Sequence, residues 1–185
     1  MAERNVAVIV GSLRTGSFSR HCAKALIKLA PQELRCEIIE IGQLPLYNQD
    51  LDPDTPPPQW VAFRDAVRPR DAVLFVTPEY NRSVPGVLKN AIDVGSRPYG
   101  QSVWAKKPAV VVSNSPGLIG GFGANHHLRQ SLVFLDMPVL QQPEAYIAKS
   151  NTLFTEEGEV TDDATRAFLA GLMQAFAALI ERVAG

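Results

Sequence analysis

The chain has 185 residues, 46% of them hydrophobic, and a formal net charge of −1. That length holds one domain with a full core and no need of disulfide staples. The near-zero charge lacks the basic excess expected of a nucleic-acid or membrane-surface binder. No apolar run approaches the roughly 20 residues of a membrane span. Met1-Ala2-Glu3-Arg4 leads directly into the first apolar run, without a secretory leader. Cys22 and Cys36 form neither a Cys-x-x-Cys pair nor a disulfide framework. A single cytoplasmic domain spanning residues 1–185 is expected.

The first predicted strand is Val6-Ala7-Val8-Ile9-Val10. It stops at Gly11-Ser12-Leu13-Arg14-Thr15-Gly16-Ser17-Phe18-Ser19, and helical periodicity follows over residues 17–30, with Phe18, Cys22, Ala25, Leu26 and Leu29 on one face. A strand, a hydroxyl-rich loop with one arginine, and a helix start together describe a phosphate cradle. The free N–H groups and positive dipole end of the helix face an anion. Ser12, Thr15, Ser17 and Ser19 can donate hydroxyl hydrogen bonds, and Arg14 adds a charged fork. A nucleoside-triphosphate loop would need Lys-Ser/Thr after its second glycine, where this chain has Ser17-Phe18. A dinucleotide fingerprint would need Gly-x-Gly-x-x-Gly, so Glu40 reads as a strand-end charge and not a ribose ligand. Two readings stay open on this stretch: a site for a terminal monophosphate such as that of FMN, and a turn that only caps the helix through Ser17.

A second strand is expected over residues 36–41; its alternation places it near a sheet edge. Residues 42–58, rich in proline, read as an ordered surface loop, and residues 60–67 as a short helix. Asp71-Ala72-Val73-Leu74-Phe75-Val76-Thr77 is a strand buried on both faces, followed by the loop of residues 78–85. Pro85 opens a helix carrying Val87, Leu88, Ala91 and Ile92. A fourth strand over residues 109–112 runs into a Ser/Asn/Gly loop containing Gly117, Gly120 and Gly121. A helix over residues 125–135 precedes a weak fifth strand near Val139 or Tyr146. Residues 161–183 form a long helix whose stripe of Phe168, Leu172, Phe176 and Ile180 is core packing, with Asp162 and Asp163 in its first turn.

Apolar strands alternating with amphipathic helices give an α/β fold, a parallel sheet covered on both faces. Five strands point to a three-layer, flavodoxin-like arrangement in the order 2-1-3-4-5. Ligands there bind beyond the carboxyl ends of the strands, at the switch between strands 1 and 3. In that topology the loops after strands 1, 3 and 4 converge, and these are the loops singled out by composition. The histidines read as surface or helix-end residues. His126 and His127 are adjacent on a helix and cannot form an i, i+4 metal pair, and His21 has no neighbouring ligand, so no metal is expected.

The loop of residues 11–19, together with Thr77-Pro78-Glu79-Tyr80-Asn81-Arg82-Ser83-Val84-Pro85-Gly86-Val87-Leu88-Lys89-Asn90-Ala91-Ile92-Asp93, resembles the NAD(P)H-dependent FMN reductases, and within them the chromate, quinone or azo reductase branch. The resemblance implies a flavodoxin-like domain that binds FMN non-covalently and forms homodimers or homotetramers. It places the cofactor among Ser12, Leu13, Arg14, Thr15, Gly16, Ser17, Phe18 and Ser19, with the phosphate on Ser12, Arg14, Ser17, Phe18 and Ser19. Pro78, Glu79, Tyr80, Asn81 and Arg82 would border the isoalloxazine, with Ser115 and Gly117 opposite. Arg82, Gly120 and His126 would line the substrate opening. The chain departs from relatives that carry asparagine at Ser19, tryptophan at Val94, an aromatic at Arg82 or tyrosine at His126.

The implied reaction is a two-step exchange. NADPH or NADH delivers hydride to FMN N5 and leaves, and a small quinone, azo compound or similar acceptor takes its place, so no catalytic side chain is demanded. Rival readings are a flavin reductase that releases its flavin, a flavodoxin-type electron carrier, and a flavin-binding regulatory protein without turnover. Arg82, Arg97 and Lys106 are candidate partners for a phosphate on the donor's adenosine ribose.

Overall fold

Five parallel strands form one sheet in the order β2-β1-β3-β4-β5. They are β1 (Arg4–Val10), β2 (Leu34–Ile38), β3 (Ala72–Thr77), β4 (Ala109–Asn114) and β5 (Ala145–Ile147). The structure, a computed structural model, describes residues 2–185. Side chains alternate across the sheet, so β1 sends Val6, Val8 and Val10 to one face and Ala7 and Ile9 to the other. The first face is covered by α1 (Phe18–Leu29) and α6 (Asp163–Ala184), which bury Cys22, Leu26, Leu172 and Phe176 against it. The second is covered by α2 (Pro58–Val67), α3 (Gly86–Gly95) and α4 (Phe122–Phe134), through Trp60, Phe63, Leu88, Leu128 and Leu132. Every residue of β3 and β4 is buried, as continuous apolar runs require of central parallel strands.

Several boundaries differ from those expected. The second strand begins two residues earlier than the pattern indicates, because Arg4 pairs with Leu34 and carries the ladder from there. Ile39 and Ile41, read as its end, are buried loop residues. The fourth strand extends through Ser113 and Asn114, since Thr77 pairs with Ser113 and Asn114 with Ile147. Helix α4 starts at Phe122, three residues before the expected start, behind a left-handed Gly121. Of the two candidates for the fifth strand, Tyr146 lies in β5, while Val139 makes one isolated bridge to Ala109. The short helix α5 (Ser150–Leu153) and a 3₁₀ turn at Gln49–Leu51 had no sequence signal.

Asp162 is the N-cap of α6, accepting from the Thr165 N–H at 2.7 Å, and not a first-turn residue. Phe168 is the exception in the α6 stripe: it stays 37% exposed while Leu172, Phe176 and Ile180 are buried. Helix α6 is long and apolar enough to match a membrane span by length and composition, yet its Leu169–Ile180 face packs into the core. His21, read as a surface or helix-end residue, lies in the first turn of α1, buried and edge-on to Phe18. Trp104 is a core aromatic whose indole donates to the Ile92 carbonyl at 3.0 Å.

The proline-rich loop of residues 42–57 is pinned by a buried ion pair. Arg64 on α2 donates to both carboxylate oxygens of Asp52 at 2.7 and 2.9 Å and to the Val94 carbonyl at 2.9 Å. Tyr47 donates a third hydrogen bond to Asp52, and Trp60 lies under the guanidinium. Removing one member of such a pair leaves an uncompensated buried charge, which costs more than the pair contributes. Asp52→Ala should lower stability by about 3–5 kcal/mol, read as a shift in the urea midpoint. A shift within that of a surface substitution would contradict this account of the loop.

Candidate cofactor cleft

Strands β1, β3 and β4 end side by side, and the loops that leave them form a cleft of about 240 Å³. Its lining is Ser12, Arg14, Ser17, Phe18 and Ser19 from the first loop, Pro78, Glu79 and Tyr80 from the second, and Asn114, Ser115 and Pro116 from the third. All three loops singled out in the sequence therefore contribute to one place.

The first loop presents donors. Gly11 N–H closes the ladder onto Val76 at 2.8 Å. Beyond it, no backbone N–H from Ser12 to Ser19 meets an acceptor among the described residues. The N–H groups of Phe18 and Ser19 open α1, so the positive end of its dipole faces the cleft. Ser17 is the N-cap and accepts from Arg20 N–H at 3.3 Å. The capping reading and the anion reading thus coexist, because a hydroxyl that accepts in the cap keeps its proton to donate. Arg14 lies 5.9 Å over the Phe18 ring, which holds the guanidinium beside the helix start. Ser19 is buried and shares hydrogen bonds of 3.1 and 3.2 Å with the Asn114 amide. It forms the floor of the cleft, tied to β4, and is not a free arm.

A row of unpaired N–H groups with one arginine, two serine hydroxyls (Ser12 and Ser17) and a helix N-terminus matches the terminal phosphate of FMN in donor type and charge. Glu40 stands outside this set, in a bidentate ion pair with Arg20 at 2.5 and 2.6 Å.

The second loop is a tight hairpin. Tyr80 and Ser83 exchange both backbone hydrogen bonds, at 3.1 and 2.9 Å, around Asn81 and Arg82. Both central residues have positive φ, 50° and 62°, the signature of a type I′ turn. Asparagine tolerates this region, but arginine there costs on the order of 1 kcal/mol. The neighbouring α4 braces the turn. The Glu79 carboxylate accepts from Ala124 N–H at 3.1 Å and from Arg82 Nη1 at 3.0 Å. His127 Nδ1 lies 2.9 Å from Ser83 Oγ. Tyr80 is half exposed and borders both this cleft and a neighbouring one lined by Leu13, Arg14, Pro85 and Val87.

The third loop is fastened to the sheet edge by Ser115 N–H to the Ile147 carbonyl at 2.9 Å and Ser150 N–H to the Ser115 carbonyl at 3.1 Å. Ser115 Oγ accepts from Gly117 N–H at 3.1 Å. Gly117 thus helps to shape the turn. Gly120, expected at a substrate opening, lies against the Tyr146 backbone. A Cβ there would stand 2.6 Å from the Tyr146 carbonyl. His126 stacks beside Phe122 and Tyr146, its Nε2 2.9 Å from the Tyr146 hydroxyl, on the outer side of α4. The Tyr146 hydroxyl titrates above its ordinary range, first because it is desolvated and then through its hydrogen bond to Glu144.

Leu13, Thr15, Gly16, Asn81, Arg82 and Gly117 belong to the three loops without lining the first cleft. Asn114 and Pro116 line it and were not anticipated; Asn114 was hidden by being read as loop when it is the last strand residue. Of the basic residues considered for a second phosphate, Lys106 precedes β4 and so lies at the opposite end of the sheet.

The sequence profile of the NADPH-dependent FMN reductases matches residues 4–152. A quinone reductase of Pseudomonas putida is 60% identical over 177 residues, covering 96% of this chain and 95% of that one. A 2-hydroxy-1,4-benzoquinone reductase of a Burkholderia species is 45% identical over 175 residues, covering 95% of each. Among solved structures, the flavoenzyme NAD(P)H:(acceptor) oxidoreductase FerB of Paracoccus denitrificans superposes with a TM-score of 0.91 at 44% identity, covering 97% of this chain and 98% of that one.

The brace between the turn and α4 leaves no room at Gly123, where a Cβ would lie 2.8 Å from the Arg82 carbonyl oxygen and 2.9 Å from Glu79 Oε2. Gly123→Ala should therefore destabilise the protein by about 1–3 kcal/mol by overpacking, although alanine is the better helix former. Urea unfolding measures it; an unchanged or raised midpoint would show that the turn is not braced here.

Proposed function

The chain belongs to the NADPH-dependent FMN reductase family, and we propose that it is an NAD(P)H:quinone oxidoreductase holding FMN in the cleft between residues 12–19, 78–82 and 114–116. The observation that carries this placement is the row of N–H groups from Ser12 to Ser19, unpaired among the described residues, at the start of α1. The acceptor class rests on the quinone reductases among its relatives, and azo compounds or similar acceptors fall within the same chemistry. Overall, NAD(P)H, one proton and a quinone give NAD(P)⁺ and a hydroquinone, a transfer of two electrons.

Bound FMN supplies the hydride-relay chemistry, which side chains cannot perform. The chain binds and orients. Arg14, Ser12 and Ser17 hold the phosphate, with the N–H groups of α1's first turn. The rigid hairpin at Glu79–Arg82 offers backbone groups to the polar edge of the isoalloxazine, and Ser115 with Pro116 closes the opposite wall. Tyr80, at the border of the two clefts, offers a ring face to a planar donor or acceptor.

We further infer a homodimer or homotetramer. Val133 and Phe134 are 75% and 80% exposed at the end of α4. Phe134 borders a groove against α3 whose Lys89–Asp93 pair carries both charge signs. An exposed apolar patch beside both charge signs suits burial against a second copy across a two-fold axis. A cytoplasmic location is the matching assignment for a chain whose Cys22 and Cys36 are free.

With NADPH and benzoquinone both varied, initial-rate plots should give parallel lines, the mark of two substrates using one position in turn. Intersecting lines, or no turnover, would overturn the mechanism. Arg14→Ala should weaken FMN binding roughly 10- to 100-fold through the lost charge-assisted hydrogen bond, measured by flavin fluorescence titration of the apoprotein.

A further inference from the structure

The hairpin at residues 80–83 places an arginine in a backbone region that L side chains disfavour, without the glycine that type I′ turns favour. Something outside the turn must hold it. Glu79 reaches both the turn and its support with one carboxylate. One carboxylate oxygen accepts from Arg82 Nη1 at 3.0 Å, within the turn. The other accepts from Ala124 N–H at 3.1 Å, one of the unsatisfied donors of α4's first turn. The Glu79 side chain is 11% exposed and that of Arg82 71% exposed, so the contact is shielded on the carboxylate side. Its negative charge sits at the positive end of the α4 dipole, which favours it further.

We propose that Glu79 is a positioning residue. Its carboxylate clamps the residue 80–83 hairpin to the N-terminus of α4 and so keeps the hairpin backbone in the left-handed shape that receives the flavin. This rests on the cleft reading above. The carboxylate's two acceptor atoms are both engaged within the chain, so its effect on the cofactor is exerted through the backbone of Tyr80–Arg82 and not by direct contact. Gly123 is the permissive partner of the clamp, since any Cβ there would separate the carboxylate and the Arg82 carbonyl from the helix. His127, on the next turn of α4, adds a second tether through Ser83.

The test compares the apoproteins of Arg14→Ala, Glu79→Ala, Glu79→Gln and the double variant E79A/R82G, each by FMN fluorescence titration and thermal unfolding. Glu79→Ala should raise the Kd for FMN about tenfold or more, the loss of one charge-assisted interaction. Glu79→Gln should lose less, because an amide oxygen still accepts from Ala124 N–H. The decisive result is rescue. Glycine at position 82 adopts the left-handed region freely, so E79A/R82G should recover FMN affinity in full while its apoprotein regains only part of the heat stability that E79A loses, the α4 donor remaining uncapped. A merely structural role would not yield that split.

An E79A protein that binds FMN like the parent while Arg14→Ala binds weakly would overturn the clamp and leave the cleft standing. Normal binding by both variants would remove the cleft reading and the clamp with it. Weak binding by E79A without rescue in the double variant would also overturn the clamp. If Glu79→Ala does not fold, E79Q against E79Q/R82G carries the same comparison.

Discussion

Val6 stands opposite Ala72 and Val10 opposite Val76, while Val73 stands opposite Ala109 and Thr77 opposite Ser113. This register ends three strands within a residue or two of one another, and the cleft depends on it. Because every side chain of β3 and β4 is buried on one face or the other, a slip of one residue would move each to the opposite layer. The register is therefore fixed by the core of the whole domain. The loops it carries can then be built from residues with poor intrinsic structure, such as the serines of residues 12–19, without losing their relative positions.

At the cleft, backbone donors left unpaired by the first loop contrast with the carboxylate of the second, both of whose oxygens are engaged. Between Ser12 and Ser19 the backbone donors meet no acceptor among the described residues, an arrangement that is costly unless water or an anion satisfies it. Around Glu79, by contrast, carboxylate, guanidinium, helix N–H and hairpin carbonyl are packed until a single methyl group at Gly123 would not fit. One loop is preorganised to bind and the other is held in a disfavoured shape by its neighbours. This division suits a cofactor whose phosphate needs donors and whose ring system needs a rigid edge.

The fold was legible in the sequence because its signals are continuous. Three continuous apolar runs, ended by Gly11, Pro78 and the Ser113–Gly117 stretch, together with an alternating second strand and a weak fifth, gave the five strands and, with the helices between them, the parallel order. The least visible strand was β5, which is three residues long and sits at an edge, where Val139 and Tyr146 were equal candidates. At the site, the three loops were recognisable from composition, yet the roles of their members were not. Ser113 and Asn114 look like loop residues because serine and asparagine are frequent in turns, but ladder pairing outweighs that preference and delivers Asn114 to the floor of the cleft. Glu79 looks like a ligand in a motif; its carboxylate also accepts from Ala124 N–H on α4, 45 positions away along the chain. Contacts of that kind leave no periodicity. Gly120 and Gly123 are likewise points of close approach that the sequence does not mark.

The most direct test is the visible spectrum of the protein reconstituted with FMN and freed of excess by gel filtration, recorded without oxygen before and after NADPH and then benzoquinone. The account predicts flavin bands that stay with the protein, bleach with NADPH and return with the quinone. Bands that persist through NADPH and NADH alike would contradict it and favour an electron carrier. A protein that leaves the column colourless would contradict FMN retention in the cleft, and with it the placement of the phosphate on residues 12–19.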